Sequence, residues 1–314
     1  MKMEIWDPHF HLWDVPENTL SGHDSSQLFA PNDNPVYSWD LYAQDMLSAG
    51  SGFEHTGGAF IEAVSVCHVG VTGDEFTSAC LLETSWVSKQ LLNSNNCCII
   101  VSSAPLEDAN AGKIIAQLAE NPRVRGIRQI LNHEPSWPRN EQLGDLLCNP
   151  KWQDGYAELK KHSFSFDFQL NPHQFKDVVR LVEKHPEIPV IIGHLGSPTL
   201  DDLTENNAVY WDGLKAFSDL EKTFIKISML SYIDENWEHN SLVQETVIRV
   251  IDLFGIDRCF FASNFPVEKY FGWNADSLYK AFVNLIDHQY SQKDQQKLFA
   301  ENAKKAYRIE TIQR

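Results

Sequence analysis

Short apolar runs alternate along the chain with longer stretches in which apolar residues recur every three to four positions. This is the pattern of parallel strands joined by crossover helices. Eight runs of strand type cover residues 3–11, 58–64, 97–103, 123–130, 163–169, 188–194, 224–228 and 258–263. Segments of helical period lie between them, among them 74–93, 109–120, 172–184, 242–254 and 276–288. Eight alternations predict closure into an α/β barrel, (β/α)₈. The competing arrangement, an open doubly wound sheet, carries a Gly-rich phosphate turn after its first strand. Here the first run leads instead into a polar insertion over residues 14–37 that contains Pro31, Asn32, Asp33, Asn34 and Pro35. A loop of that length at the carboxyl end of a barrel predicts a lid. No break in composition, internal repeat or low-complexity tract divides the chain, so residues 1–314 are expected to form one barrel domain.

Side chains of a strand alternate between the helix layer and the barrel axis. In SFSFDFQL the apolar set Phe164, Phe166, Phe168 and Leu170 suits the helices, which turns Ser165, Asp167 and Gln169 toward the axis. In FIKISM, Ile225, Ile227 and Met229 suit the helices and Lys226 and Ser228 the axis. Arg128 shares a face with Gly126, and Glu62 is expected to share one with Phe60 and Val64. Ionisable groups of both signs therefore gather in one cavity, where burial is costly without mutual pairing, a metal or a ligand.

Three strand ends add further polar groups. His9 and His11 stand two apart in DPHFH, so both imidazoles project to one side and suit one metal ion or one carbonyl oxygen. His194 closes the sixth run in PVIIGHLG, between Gly193 and Gly196, and Asn264 closes the eighth in FFASNFPV. Each residue also has a plain structural reading: a hydrogen-bonded core histidine, a turn residue before Pro266, or a member of an ion-pair lattice. Their joint position at one end of the barrel favours a site. Trp13, Trp39 and Trp137 lie in loops near that end and suit a ring-shaped ligand or loop packing.

Composition narrows the partners. With 43 acidic and 26 basic residues the formal charge is −17, which disfavours nucleic acid and anionic membranes. A small molecule is the expected partner, an anionic one included, because a few buried Arg or Lys residues reverse the local field. No stretch reaches the roughly 18 apolar residues that span a bilayer. The start MKMEIWDPHFHLW lacks the marks of a secretory signal, and the six cysteines show no metal or redox spacing. A cytoplasmic protein with reduced thiols is expected. A homo-oligomer is compatible with the sequence, though no interface is legible in it.

The segments DPHFHLW, VRGIRQIL, SFDFQLNPHQF, VIIGHLGSP, FIKISML, FGIDRCFFASNFPV and ENAKKAYRI, in this order and over nearly the whole chain, resemble the amidohydrolase-2 family. The likeness is to its branch of metal-dependent TIM-barrel hydrolases that includes L-fuconolactonase-like and sulfomuconolactonase-like enzymes, related to the pyrone-dicarboxylate lactonases. The resemblance implies a distorted (β/α)₈ TIM barrel that opens a small sugar-derived or carboxylated lactone with activated water. A divalent metal, zinc first, would be held by His9 and His11 with Glu62 or His194 joining them to complete the set, and metal-independent catalysis is the alternative. Catalytic roles fall on His194, Asn264, Asp167 and Glu62, and substrate contacts on Arg128, Lys226, Trp13 and Gln169. A nonhydrolytic decarboxylase or hydratase on the same barrel, and an inactive metabolite-binding barrel, are the alternative readings. The chain departs from the family at Asn264, where many relatives end strand 8 with Asp. An amide accepts no proton from water at neutral pH, so Asn264 is expected to orient while Glu62, Asp167 or His194 takes the proton.

Overall fold

In a computed structural model of the chain, residues 2–20, 34–50, 52–68, 70–94, 97–133, 144–205 and 207–309 are described. Most of the expected lid, as well as Trp137, lies outside them. Eight parallel strands form one sheet in chain order: β1 (Met3–Phe10), β2 (Phe53–Ile61), β3 (Cys97–Ser102), β4 (Val124–Ile130), β5 (Ser165–Gln169), β6 (Val190–Ile192), β7 (Thr223–Ile227) and β8 (Cys259–Phe261). Around them pack α1 (Trp39–Leu47), α2 (Gly73–Gln90), α3 (Ala111–Ala119), α4 (Pro150–Glu158), α5 (Phe175–Lys184), α6 (Asn207–Ser218), α7 (Ser241–Phe254), α8 (Ala275–Ile286) and a last short helix, α9 (Asn302–Ala306). The expected barrel is present. Among the described residues no helix is long and apolar enough to cross a membrane, and all six cysteines are free thiols.

Two apolar clusters separate the layers. Phe164, Phe166, Phe168, Leu170, Ile225 and Ile227 join the large cluster beneath the helices, as the alternation predicts. Trp6, Ala59, Ile61, Ile99, Val101, Ile191, Phe224 and Phe260 form a second cluster together with Ala300, Ala303, Ala306 and Tyr307 from the C-terminal segment. This inner cluster is the packed floor of the barrel. Trp6 is fully buried there and its indole N–H donates to the Cys97 carbonyl at 2.8 Å. Gly57 (φ +152°) permits that approach, because a Cβ at this position would stand 2.0 Å from the same carbonyl oxygen.

Closure between β1 and β8 is uneven, and here lies the distortion. At the carboxyl end the two chains meet: His11 N donates to Phe265 O and Asn264 N to His9 O, each at 2.8 Å. Asp7, fully buried, reinforces the seam by accepting from Ser263 N (2.8 Å), Ser263 Oγ (2.5 Å) and Tyr42 Oη (2.8 Å). At the amino end no ladder joins β1 to β8. Side-chain amides of the C-terminal segment serve these edges instead. Gln296 pairs with both main-chain groups of Glu4 at 3.2 Å, and Asn302 Nδ2 donates to Cys259 O at 2.8 Å. Unpaired strand edges would otherwise be left buried and unsatisfied.

One orientation differs from expectation. Phe60 belongs with Phe10 in the outer cluster, and Val64 packs with Ala79 and Cys80. Glu62 follows the last residue of β2, where strand alternation no longer holds, and the chain turns so that its carboxylate meets Arg128.

Candidate active site

The barrel's carboxyl end gathers the expected polar residues. His9 and His11 place their Nε2 atoms 3.1 Å apart, and the His9 ring lies 4.5 Å from that of His194, centroid to centroid. His11 Nδ1 stands 2.8 Å from the Ile61 carbonyl. A carbonyl only accepts, so Nδ1 carries the proton and His11 Nε2 offers a lone pair. On the far side of His9, Lys226 Nζ lies 3.4 Å from Nδ1. An ammonium only donates, which puts the His9 proton on Nε2 and aims it at His11. A directed chain results, from Lys226 through His9 and His11 to the Ile61 carbonyl.

Burial keeps these rings uncharged. It holds His11 down at about 3, the Arg128 charge adding to the effect while the Ile61 carbonyl and the Asn264 amide oppose it. His9 and His194 also fall well below the usual imidazole range, through burial first and then the Lys226 and Arg128 charges. His194 Nδ1 is held by Ser228 Oγ at 2.9 Å.

Two buried ion pairs flank the histidines. Arg128 Nε donates to Glu62 Oε1 at 2.8 Å, Nη2 to the Glu62 carbonyl at 2.8 Å and Nη1 to Gln169 Oε1 at 2.7 Å. Guanidinium has about five N–H donors, which leaves a pair for a ligand oxygen. Glu62 Oε2 accepts from Val64 N at 3.2 Å, so both of its oxygens are occupied. Deeper in the barrel, Lys226 Nζ contacts Asp167 Oδ2 at 2.6 Å, and Tyr307 Oη donates to the same oxygen at 2.6 Å. Burial pulls the Lys226 ammonium below its ordinary value, against the pull of Asp167. Asn264 stands at φ 54°, as do His194 at 54° and Met229 at 56°. Left-handed backbone in non-Gly residues at three successive strand ends is local strain of the kind that clusters at sites. The Asn264 Nδ2 donor is buried without a partner.

Other expected residues lie elsewhere. Trp13 is buried against Tyr37 and lines a small cavity with Leu12, Asn18, Glu83 and Trp86. Trp39 packs on Phe10 and Tyr42. Asp7, Ser228, Ser263 and Tyr307 fix site residues and were not legible as such, because each acts through a partner distant in sequence.

The family profile for amidohydrolases matches residues 6–309. The chain belongs to the amidohydrolase family. An uncharacterized Sinorhizobium fredii protein, y4mH, is 28% identical over 309 residues, 97% of this chain and 98% of its own. An L-fucono-1,5-lactonase of Burkholderia ambifaria is 23% identical over 217 residues, 67% of this chain and 70% of its own. Among solved structures, a zinc-bound amidohydrolase of Burkholderia multivorans superposes with TM-score 0.74 at 17% identity, covering 98% of this chain and 99% of that one. A Pseudomonas putida protein assigned as a 2-pyrone-4,6-dicarboxylic acid hydrolase gives 0.69 at 16% identity, covering 99% of each. A 2,6-dihydroxybenzoate decarboxylase from Rhizobium gives 0.65 at 15%, covering 98% and 99%. These structures share the fold with this amidohydrolase.

The donor set fits a metal only in part. The Nε2 separation of His9 and His11 suits two ligands of one ion. Yet Glu62 is held by Arg128, the His194 ring sits beside His9 with Nδ1 on Ser228, and no three His, Cys, Asp or Glu side chains converge among the described residues. A metal-bound His9 would also need its Nδ1 proton accepted, whereas the atom beside it is an ammonium. Among the described residues the arrangement does not provide a three-ligand zinc site.

Proposed function

We propose that this amidohydrolase opens a small, oxygen-rich lactone ring with water. The observation that carries the reading is geometric: His9, His11 and His194 are gathered with two buried cations, Arg128 and Lys226, and an unpartnered amide donor at one end of the barrel. Asn264 Nδ2 and the remaining Arg128 N–H groups are donors for the carbonyl oxygen and for a ring substituent. They favour the negative charge that grows on that oxygen as water adds. His194, fixed by Ser228, orients the attacking water. Glu62 and Asp167 are each paired with a cation, and of the two only Asp167 keeps an oxygen without a partner. The site residues His9, His11, Glu62, Arg128, Asp167, Gln169, His194, Lys226 and Asn264 form this proposal; Trp13 drops from substrate contact to wall packing. The small-molecule partner and the lactone class rest on the similarity to the Burkholderia ambifaria lactonase together with the donor-rich mouth.

A panel of aldonolactones, muconolactones and pyrone carboxylates followed by acid release and NMR tests it. Ring-opened acid that disappears with His194→Asn is the expected result. Carbon dioxide released from a carboxylated ring, without ring opening, would replace this reading with a decarboxylase.

A further inference from the structure

On the lactonase reading the proton of the attacking water needs a destination. Among the described residues several buried carboxylates lie near the mouth, and each has at least one partner. Asp7 is held by Ser263 and Tyr42, Glu62 by Arg128 and Val64 N, and Asp167 by Lys226 and Tyr307. Glu83, on α2, accepts from Ala63 N and lines a small cavity with Leu12 and Trp86; like Asp167, it keeps one buried oxygen without a partner. Glu268 differs from these in its place, on the turn that follows Asn264.

Val267 N and Glu268 N both donate to the Asn264 carbonyl, at 2.8 and 3.4 Å, so the turn that carries Glu268 is built on Asn264 itself. Glu268 is only 2% exposed. Its Oε2 accepts from Ser231 Oγ at 2.5 Å, and Ser231 Oγ accepts from Trp273 Nε1 at 2.9 Å. Its Oε1 is buried and unpartnered. Ser231 lies three residues after Ser228, whose hydroxyl holds His194, so Glu268 links the loop after β7 to the loop after β8 that carries Asn264. Among the described residues no cation pairs with it: the adjacent Lys269 reaches Asp45 on α1, and Ser231 and Trp273, which face it from the neighbouring segments, do not titrate near neutrality.

We propose that Glu268 handles the proton of the reaction, supplying the carboxylate that Asn264 cannot. This assignment rests on the lactonase reading. As the water oxygen bonds to the ring carbonyl carbon, one O–H bond breaks and its proton passes to Glu268, directly or through one further water. When the tetrahedral intermediate collapses, the ring C–O bond breaks and Glu268 returns the proton to the leaving alkoxide. Burial suits the group to the task, since it pushes the carboxyl up to about 7, the Ser231 hydrogen bond opposing.

Two measurements test the assignment. Infrared difference spectra of the whole protein between about pH 5 and about pH 9 should contain a protonated-carboxyl band that vanishes near neutrality and is absent from Glu268→Gln. On the lactone hydrolysed fastest, kcat/KM should rise with pH as Glu268 ionises. Glu268→Gln should lose this limb and about 10²–10⁴-fold of turnover, while Glu268→Asp keeps the limb. Ser231→Ala removes a donor to the carboxylate, so the limb should move to higher pH; this arm serves even where Glu268→Gln fails to fold. An unchanged limb in both Glu268→Gln and Ser231→Ala overturns the assignment, as does the absence of the infrared band. If no lactone reacts and the band is present, the lactone reading fails and the proton-holding group stands.

Discussion

The two ends of this barrel solve opposite problems. At the floor, Trp6, Phe224, Phe260 and Tyr307 are packed with small residues of the C-terminal segment, and the open strand edges are met by the amides of Gln296 and Asn302. At the mouth, left-handed backbone stands at His194, Met229 and Asn264, and the buried polar atoms Asn264 Nδ2 and Glu268 Oε1 lack partners. The floor is dominated by apolar packing and by amides that cap open strand edges, whereas the mouth combines left-handed backbone with an unpartnered donor and acceptor on the loop after β8. Stability and chemistry are thereby separated along one axis, as in barrel enzymes generally. The lysine of β7 bridges them, its ammonium between Asp167 below and His9 above.

Substitutions at the two ends should therefore fail in different ways. The largest effect is expected at the mouth: His194→Asn should lower kcat/KM about 10²–10³-fold, with an unfolding free energy within about 1 kcal/mol of the parent. Steady-state kinetics and urea titration on the same samples check it, and a large stability loss would erase the contrast. At the floor, Trp6→Ala should cost about 3–5 kcal/mol of stability. Its folded fraction should keep kcat/KM within about threefold of the parent, and a collapse of activity in fully folded protein would mean that the floor takes part in the chemistry. Tyr307→Phe removes one hydrogen bond to a buried carboxylate and should cost about 1.5–3 kcal/mol in thermal or urea unfolding.

A smaller effect is expected from pH. His11 is held near 3 in the folded protein, below its ordinary 6.5. The unfolded chain takes up that proton first, so the stabilisation is full above about pH 6.5 and is lost as pH falls toward 3. Between about pH 7 and about pH 5 the parent should lose about 2 kcal/mol more than His11→Asn in urea unfolding. Equal losses would mean that His11 is protonated in the folded state.

What the sequence made legible follows the same division. Strand alternation correctly assigns the inward direction of Asp167 and Lys226 because each sits among apolar neighbours whose preference for the helix layer is strong. Arg128 likewise lies inside β4, where the period of two holds. Glu62 escapes the rule because β2 ends at Ile61. Tyr307 gives no local sign of its role, since its partner Asp167 is 140 residues away. Glu268 reads as an ordinary turn residue in FPVEKY until the chain's path over Ser231 is known. Residues that act from within a strand are readable from periodicity, whereas those that act from a turn depend on which loop lies above them.

Isotope labelling tests the central claim most directly. Turnover of the most reactive lactone in ¹⁸O-water should place one labelled oxygen in the carboxylate of the ring-opened acid. Carbon dioxide with an unlabelled organic product would contradict hydrolysis at this mouth.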